Sequence, residues 1–172
     1  MRGRWAQGLE PRGFTWVVRD RLAASERPGG FARNHRKVRR QEELIWLAGN
    51  GFTRVLSLLD SNHNLYAYDE AGIDYEHIPL GRRDDWPIRL GHTYRTLSTW
   101  LDDPVERVLI HHEEFGERLL GVLAGYLLFT RPDVFTTGPQ AAAAVERLTG
   151  REVGAGGREI IAAVLDDGIV KG

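Results

Sequence analysis

The stretch Val108–Arg118, VLIHHEEFGER, decides how the rest of the chain is interpreted. It begins as an apolar run typical of a strand buried in a sheet, continues as a polar turn and leads into the apolar run from Leu119 to Phe129. The second apolar run is typical of a helix buried in the centre of a domain. A turn between a strand and a helix presents backbone N–H groups and the positive helix end, so it is a candidate anion site. A solvated loop is the alternative interpretation.

Composition limits the kind of protein this chain can be. Its 172 residues suit one hydrophobic core, so we expect a single domain over residues 1–172. Lys and Arg (23) nearly balance Asp and Glu (24), and a nucleic-acid partner is therefore not expected. No apolar run reaches the roughly 18 residues of a membrane span, and residues 1–13 lack the apolar core of a secretory signal. We expect a cytoplasmic protein that does not associate with membranes.

The chain contains no cysteine. This excludes disulfides, thiolate metal sites and a cysteine nucleophile.

Strand and helix patterns alternate along the chain. Apolar or β-branched runs predict strands, and apolar residues at helical spacing predict helices. The predicted strands are 14–18 and 21–25, which form a hairpin at a sheet edge, then 52–59, 73–80 and 105–110; the predicted helices are 42–47, 90–101, 119–129, 139–148 and 158–165. This alternation predicts an α/β fold with a central, mainly parallel sheet flanked by helices on both faces.

The turn resembles the phosphate-binding loop of the protein tyrosine phosphatase superfamily, in particular its small atypical dual-specificity members. Their signature is His-Cys, five residues and Arg, placed between an apolar strand and a helix. His111 and Arg118 match this His and Arg, and Ala124–Leu128 is similar to a segment of the family's next helix. The resemblance covers roughly residues 13–150, because four further segments also match in order: Phe14–Val17, Leu22–Ser25, Phe52–Leu58 and Tyr75–Leu80.

His112 stands where the family has its catalytic cysteine. Family members attack phosphorus with a cysteine thiolate, which an imidazole does not replace directly. The resemblance therefore implies a pseudophosphatase that binds phosphate-bearing ligands without turnover. The alternative is an active phosphatase in which His112 is the nucleophile, Arg118 binds the oxyanion, and Asp84 or Asp85 is the general acid. A solvated turn is the simpler interpretation of the two aspartates.

The loop backbone and Arg118 are the predicted anion-binding groups. The backbone contribution comes from Glu113, Glu114, Phe115, Gly116 and Glu117. Phe115 replaces the usual glycine. The three glutamates oppose an anion, but related phosphatases resemble this loop in bearing glutamates at the positions of Glu113 and Glu117, so only Glu114 is a surplus charge. Arg118 has an alternative role, a buried ion pair with a loop glutamate.

The expected ligand is a phosphorylated protein or a small anion such as phosphate or sulfate, and no cofactor is expected. His111, His112, Glu113 and Glu114 could instead be metal ligands, but adjacent side chains rarely converge on one ion, so no metal is expected. The basic stretch Arg33–Arg40 either recruits a polyanion or is the solvated first turn of a helix.

Overall fold

The computed structural model describes residues 8–30, 36–62 and 64–169. This part of the chain contains five strands and six α-helices. The strands are β1 (Thr15–Val18), β2 (Leu22–Glu26), β3 (Arg54–Ser57), β4 (Asp74–His77) and β5 (Val108–His112); the helices are α1 (Arg36–Gly49), α2 (Tyr66–Ala71), α3 (Trp86–Leu101), α4 (Glu117–Thr130), α5 (Gly138–Thr149) and α6 (Gly154–Asp166).

The chain folds as two compact units. The first consists of Met1–Pro79 and Asp103–Glu114, and the second of Leu80–Asp102 and Phe115–Gly172. The first unit contains the sheet with α1 and α2, and the second contains α3 to α6. A single domain over residues 1–172 stays a prediction.

The sheet has the strand order β1-β2-β5-β3-β4, in which only β1 is antiparallel to its neighbour. The predicted hairpin forms, but only β1 lies at the edge, because β2 also pairs with β5. Parallel strands end at one edge of a sheet, which places His112 beside Glu26 and His111 beside Ser57. The predicted α/β class with a mainly parallel sheet is confirmed.

Helix α1 begins at Arg36 rather than at Glu42. An i,i+4 ion pair of 2.7 Å joins Arg39 to Glu43, whose carboxylate also accepts a hydrogen bond from the Gly29 amide at 2.5 Å. Arg39 is therefore held on the inner side of the helix, and the solvated-turn interpretation is wrong for this residue. Arg33, at the start of the basic stretch, lies outside the described residues.

Helix α2 was not expected from the sequence. Its six residues are too few to show a helical period, and it ends at Gly72, which adopts a left-handed conformation with φ 71°. The helix places Tyr68 in the core of the first unit, as part of a cluster that includes Leu47 and Phe52. Because it follows β3, α2 brings Tyr68 to the edge at which the parallel strands end.

In the second unit, helices α4 and α6 pack closely against each other at Gly121 and Gly157. A Cβ atom on Gly121 would lie 2.6 Å from the Gly157 carbonyl oxygen, a distance that no real side chain tolerates. The Tyr94 hydroxyl fixes α3 on the same helix by donating a hydrogen bond of 2.9 Å to the Val122 carbonyl. The close approach places the start of α6 against the start of α4.

Candidate functional site

The candidate site is the segment 111–118, which comprises the last two residues of β5, the turn 113–116 and the first two residues of α4. The predicted order of strand, turn and helix is confirmed, with Gly116 as the residue that precedes the helix. The chain passes from the first unit to the second between Glu114 and Phe115.

His111 is fixed inside the first unit. Its side chain is 0% exposed, and its Nδ1 lies 3.2 Å from the His112 carbonyl oxygen. Since a carbonyl only accepts hydrogen bonds, Nδ1 carries the proton, and Nε2 accepts a bond of 3.0 Å from the Tyr68 hydroxyl. Burial lowers the pKa of His111 to about 4, so the ring is neutral at neutral pH. His111 therefore holds the end of β5 in place and is not a proton carrier at neutral pH.

Glu113 is neutralised by a residue that the sequence did not single out. Its carboxylate forms an ion pair of 3.0 Å with Arg27, whose side chain is only 18% exposed. Arg27 follows β2, so it reaches this edge of the sheet through the pairing of β2 with β5. His112 is half-buried and Glu114 is exposed. The penalty that Glu113 would impose on a bound anion is offset by the Arg27 charge.

Phe115 is held by contacts within the second unit. It is 6% exposed, and the Arg151 guanidinium lies 4.9 Å from the centre of its ring. Arg151 also donates a hydrogen bond of 3.2 Å to the Phe115 carbonyl. The bulky residue at the usual glycine position is thus packed, and its carbonyl is fixed.

The Glu117 carboxylate is bound at the start of α6. It accepts a hydrogen bond of 3.0 Å from the Gly156 amide. Gly154 has φ 69° and packs against the same carboxylate, and a Cβ on Gly156 would lie 2.8 Å from it. The glycine-rich turn accommodates this side chain. A negative charge is favourable at the amino-terminal end of a helix, so the Glu117 carboxylate stabilises the start of α6.

Arg118 is exposed and makes no hydrogen bond or ion pair with a described residue. The alternative of a buried ion pair with a loop glutamate is therefore wrong. The pKa of Glu159 is lowered by its hydrogen bond with Arg83 and, more weakly, by the charge of Arg118. The Arg118 guanidinium is thus available to a ligand.

The two candidate general acids differ in their surroundings. Both belong to a short 3-10 turn, Arg83–Asp85. Asp85 accepts a hydrogen bond of 3.2 Å from the Arg82 amide and precedes the first turn of α3. Asp84 is exposed, and no described residue forms a hydrogen bond or ion pair with its carboxylate. Of the two, only Asp84 has a carboxylate without a hydrogen bond or ion pair to a described residue.

The metal interpretation of residues 111–114 finds no support in the described part of the chain, where no three His, Asp or Glu side chains converge. The same residues contain no helix long and apolar enough to cross a membrane.

Comparison with known proteins identifies the fold. No protein-family model and no curated protein matches the chain. Several solved structures match, among them the kinase associated phosphatase with its catalytic cysteine replaced by serine, at 21% identity and a TM-score of 0.71 over 91% of this chain and 95% of that one. The phosphatase domain of Yvh1 from Chaetomium thermophilum matches at 17% identity and a TM-score of 0.65, over 90% and 96%. The core catalytic domain of the PP-IP phosphatase Siw14 from S. cerevisiae, in complex with citrate, matches at 16% and 0.62, over 94% and 91%.

These likenesses show the fold. The chain has the fold of tyrosine and dual-specificity phosphatases, as the resemblance predicts. The serine-substituted structure also shows that this fold forms without the catalytic thiol.

Proposed function

We propose that this protein is a pseudophosphatase that binds phosphate-bearing ligands, a phosphorylated protein or a small oxyanion, through the loop 111–118. The observation that carries the proposal is the absence of any cysteine from a chain with the phosphatase fold. In this fold the thiolate is both the nucleophile and the group that becomes phosphorylated. Without it the binding function remains while the usual covalent step is lost.

The surroundings of the loop support retained binding. Arg118 is exposed and has no described partner, and a guanidinium binds a phosphate through two parallel hydrogen bonds. The amides at the start of α4 add donors and the positive helix end. Two of the three loop glutamates are engaged elsewhere, Glu113 by Arg27 and Glu117 by Gly156. Glu114 is the remaining charge that opposes an anion.

The hydrolysis of p-nitrophenyl phosphate tests the loss of turnover. We expect no hydrolysis above background between mildly acidic and neutral pH, and no difference between the parent and His112→Ala. The matched control is His92→Ala, which removes another histidine from the exposed side of α3. Turnover that disappears in His112→Ala and persists in His92→Ala would contradict the proposal.

The second candidate function is phosphoryl transfer through His112, which the free carboxylate of Asp84 favours. A ring nitrogen would attack phosphorus, and the oxygen of the leaving group would take the Asp84 proton as its bond to phosphorus breaks. Incubation with a reactive phosphoryl donor, quenching at alkaline pH and intact-mass measurement would reveal the phosphohistidine. We expect no mass increase, because the imidazole fills space that a phosphate needs. An adduct lost in His112→Ala would establish this second function.

A further inference from the structure

A small recess lies in the first unit, where the parallel strands end. Its volume is about 20 Å³, and its lining includes Arg27, Arg40, Ser57, Tyr68 and His111. A space of this size holds one or two water-sized atoms. It lies on the side of β5 reached by the His111 ring, and all of its lining residues belong to the first unit.

The recess carries an excess of positive charge. Two of its lining side chains are guanidinium groups, and no described carboxylate lines it. His111 is neutral, and burial raises the pKa of Tyr68, so that this phenol also stays uncharged. Arg27 is already bonded to the Gly30 carbonyl at 2.9 Å and to Glu113 at 3.0 Å. Arg40 is partly exposed and forms no ion pair with a described residue.

Two donors in the recess lack an acceptor. Arg40 Nε is buried and has no hydrogen-bond partner among the described residues. Ser57 is fully buried; its oxygen accepts a weak bond of 3.5 Å from the Leu59 amide, and no described residue accepts its proton. Tyr68 is no further donor, because its proton is bonded to His111. Most buried donors in proteins have an acceptor, so these two donors are candidates to bind a ligand.

We propose that this recess is a second anion site, which takes one or two oxygens of a phosphate group. Arg40 Nε and the Ser57 hydroxyl donate to these oxygens, and the Arg27 guanidinium supplies charge beside them. The remainder of the phosphate lies toward the partly exposed Asn64 and Leu65. A water molecule bonded to the same donors is the alternative occupant, and titration with phosphate distinguishes the two. The site belongs to the first unit alone and does not rest on ligand binding by the loop 111–118.

Titration with inorganic phosphate tests the second site. We measure binding by calorimetry at low ionic strength, in the parent and in the variants Arg40→Gln and Ser57→Ala. Loss of a charge-assisted hydrogen bond lowers the affinity of the site by about tenfold or more in Arg40→Gln, and loss of a neutral one by a smaller factor in Ser57→Ala. Lys37→Gln removes an exposed charge from the same helix and is the matched control. Equal affinities in Arg40→Gln and Lys37→Gln would refute the site.

The variant Arg118→Gln separates this inference from the proposed function. If both sites exist, the parent binds two phosphates, and Arg118→Gln and Arg40→Gln each lose a different one. Binding that survives Arg118→Gln unchanged and is lost in Arg40→Gln refutes the loop site and supports the recess. The opposite pattern refutes the recess alone. Thermal unfolding without phosphate confirms that each variant is folded, and Ser57→Ala provides the second test if Arg40→Gln is not. Phenyl phosphate, titrated in parallel, shows whether the recess takes a phosphomonoester as well as the free anion.

Discussion

His112 changes the chemistry of the strand-to-helix turn at the scale of a single residue. A thiolate at this position would lie close to the backbone amides, whereas an imidazole is larger and places its nitrogens farther from them. Phe115, at the position of the usual glycine, also departs from the family pattern, and its ring packs against the Arg151 guanidinium. The differences from the family therefore extend beyond the replacement of the thiol.

The variant His112→Cys tests whether Phe115 limits hydrolysis even when the catalytic thiol is present. We expect it to hydrolyse p-nitrophenyl phosphate little above background, because the fixed carbonyl and bulky ring of Phe115 still misplace the amides that bind the anion. The double variant His112→Cys with Phe115→Gly, which restores the usual glycine, is the matched comparison and should be the more active of the two. Robust turnover by His112→Cys alone would show that the remaining departures are harmless.

His111 predicts how stability depends on pH. In the folded protein its pKa is about 4, against an ordinary value of 6.5 that applies to the unfolded chain. Between these pH values the unfolded state binds the additional proton, so the free energy of unfolding falls as the pH is lowered. The slope is at most about 1.4 kcal/mol per pH unit, and the loss is complete below the folded pKa.

Denaturant titrations of the parent between pH 4 and 7 measure this effect. The variant His111→Gln should lose part of the acid dependence, whereas His92→Gln, which removes an exposed histidine, should keep it. The same dependence in all three proteins would mean that His111 is not the group responsible.

At the scale of elements, the contact between α4 and α6 depends on the absence of side chains. Gly121 and Gly157 face each other so closely that a methyl group on either would collide with backbone atoms. The approach also places the Gly156 amide within reach of Glu117, the first residue of α4. The packing of two helices thus determines where one loop carboxylate lies.

The variant Gly121→Ala should be destabilised. Alanine is the better helix former by about 1 kcal/mol, but overpacking against the Gly157 backbone costs about 1–3 kcal/mol. We therefore expect a lower free energy of unfolding in denaturant. Gly49→Ala, at the end of α1, is the control, because a Cβ there would meet no atom within 4 Å. Its stability should be unchanged or slightly higher, and an equal loss in both variants would contradict the packing argument.

At the scale of the whole molecule, each unit is assembled from two separate stretches of chain. The backbone passes between the units at Pro79–Leu80, Asp102–Asp103 and Glu114–Phe115. Neither unit is therefore a continuous segment that could be cut out and folded by itself. This connectivity favours one cooperative unit over two independent domains.

Calorimetry tests the single domain directly. We expect one unfolding transition whose calorimetric enthalpy equals its van't Hoff enthalpy, because the unfolding of either unit releases both ends of a segment of the other. Two separable transitions would show that the units unfold independently, and the prediction of one domain over residues 1–172 would then be wrong.

The sequence alone determined the α/β class, the order of the strands along the chain and the loss of thiol chemistry. These depend on local information: apolar runs, turn residues and the absence of a residue type. Residues 111–118 could be recognised for the same reason, since the motif is contiguous. Helix α2 was not predicted because its six residues are too few to show a helical period. The length of α1 exceeds the prediction because its first turns are mostly charged and carry no apolar period.

Only the tertiary structure decided which charged side chains form ion pairs and which are buried. Arg27, Arg40 and Arg118 are the same residue type, yet their surroundings differ. Arg27 is paired with Glu113, Arg40 has a buried nitrogen without a hydrogen-bond partner among the described residues, and Arg118 is exposed. Strand pairing and helix packing bring together residues that are distant in the chain, and a side chain's partners depend on those pairings. The physical reason is that burial and charge compensation are properties of the surroundings of a residue, which the order of residues along the chain does not specify.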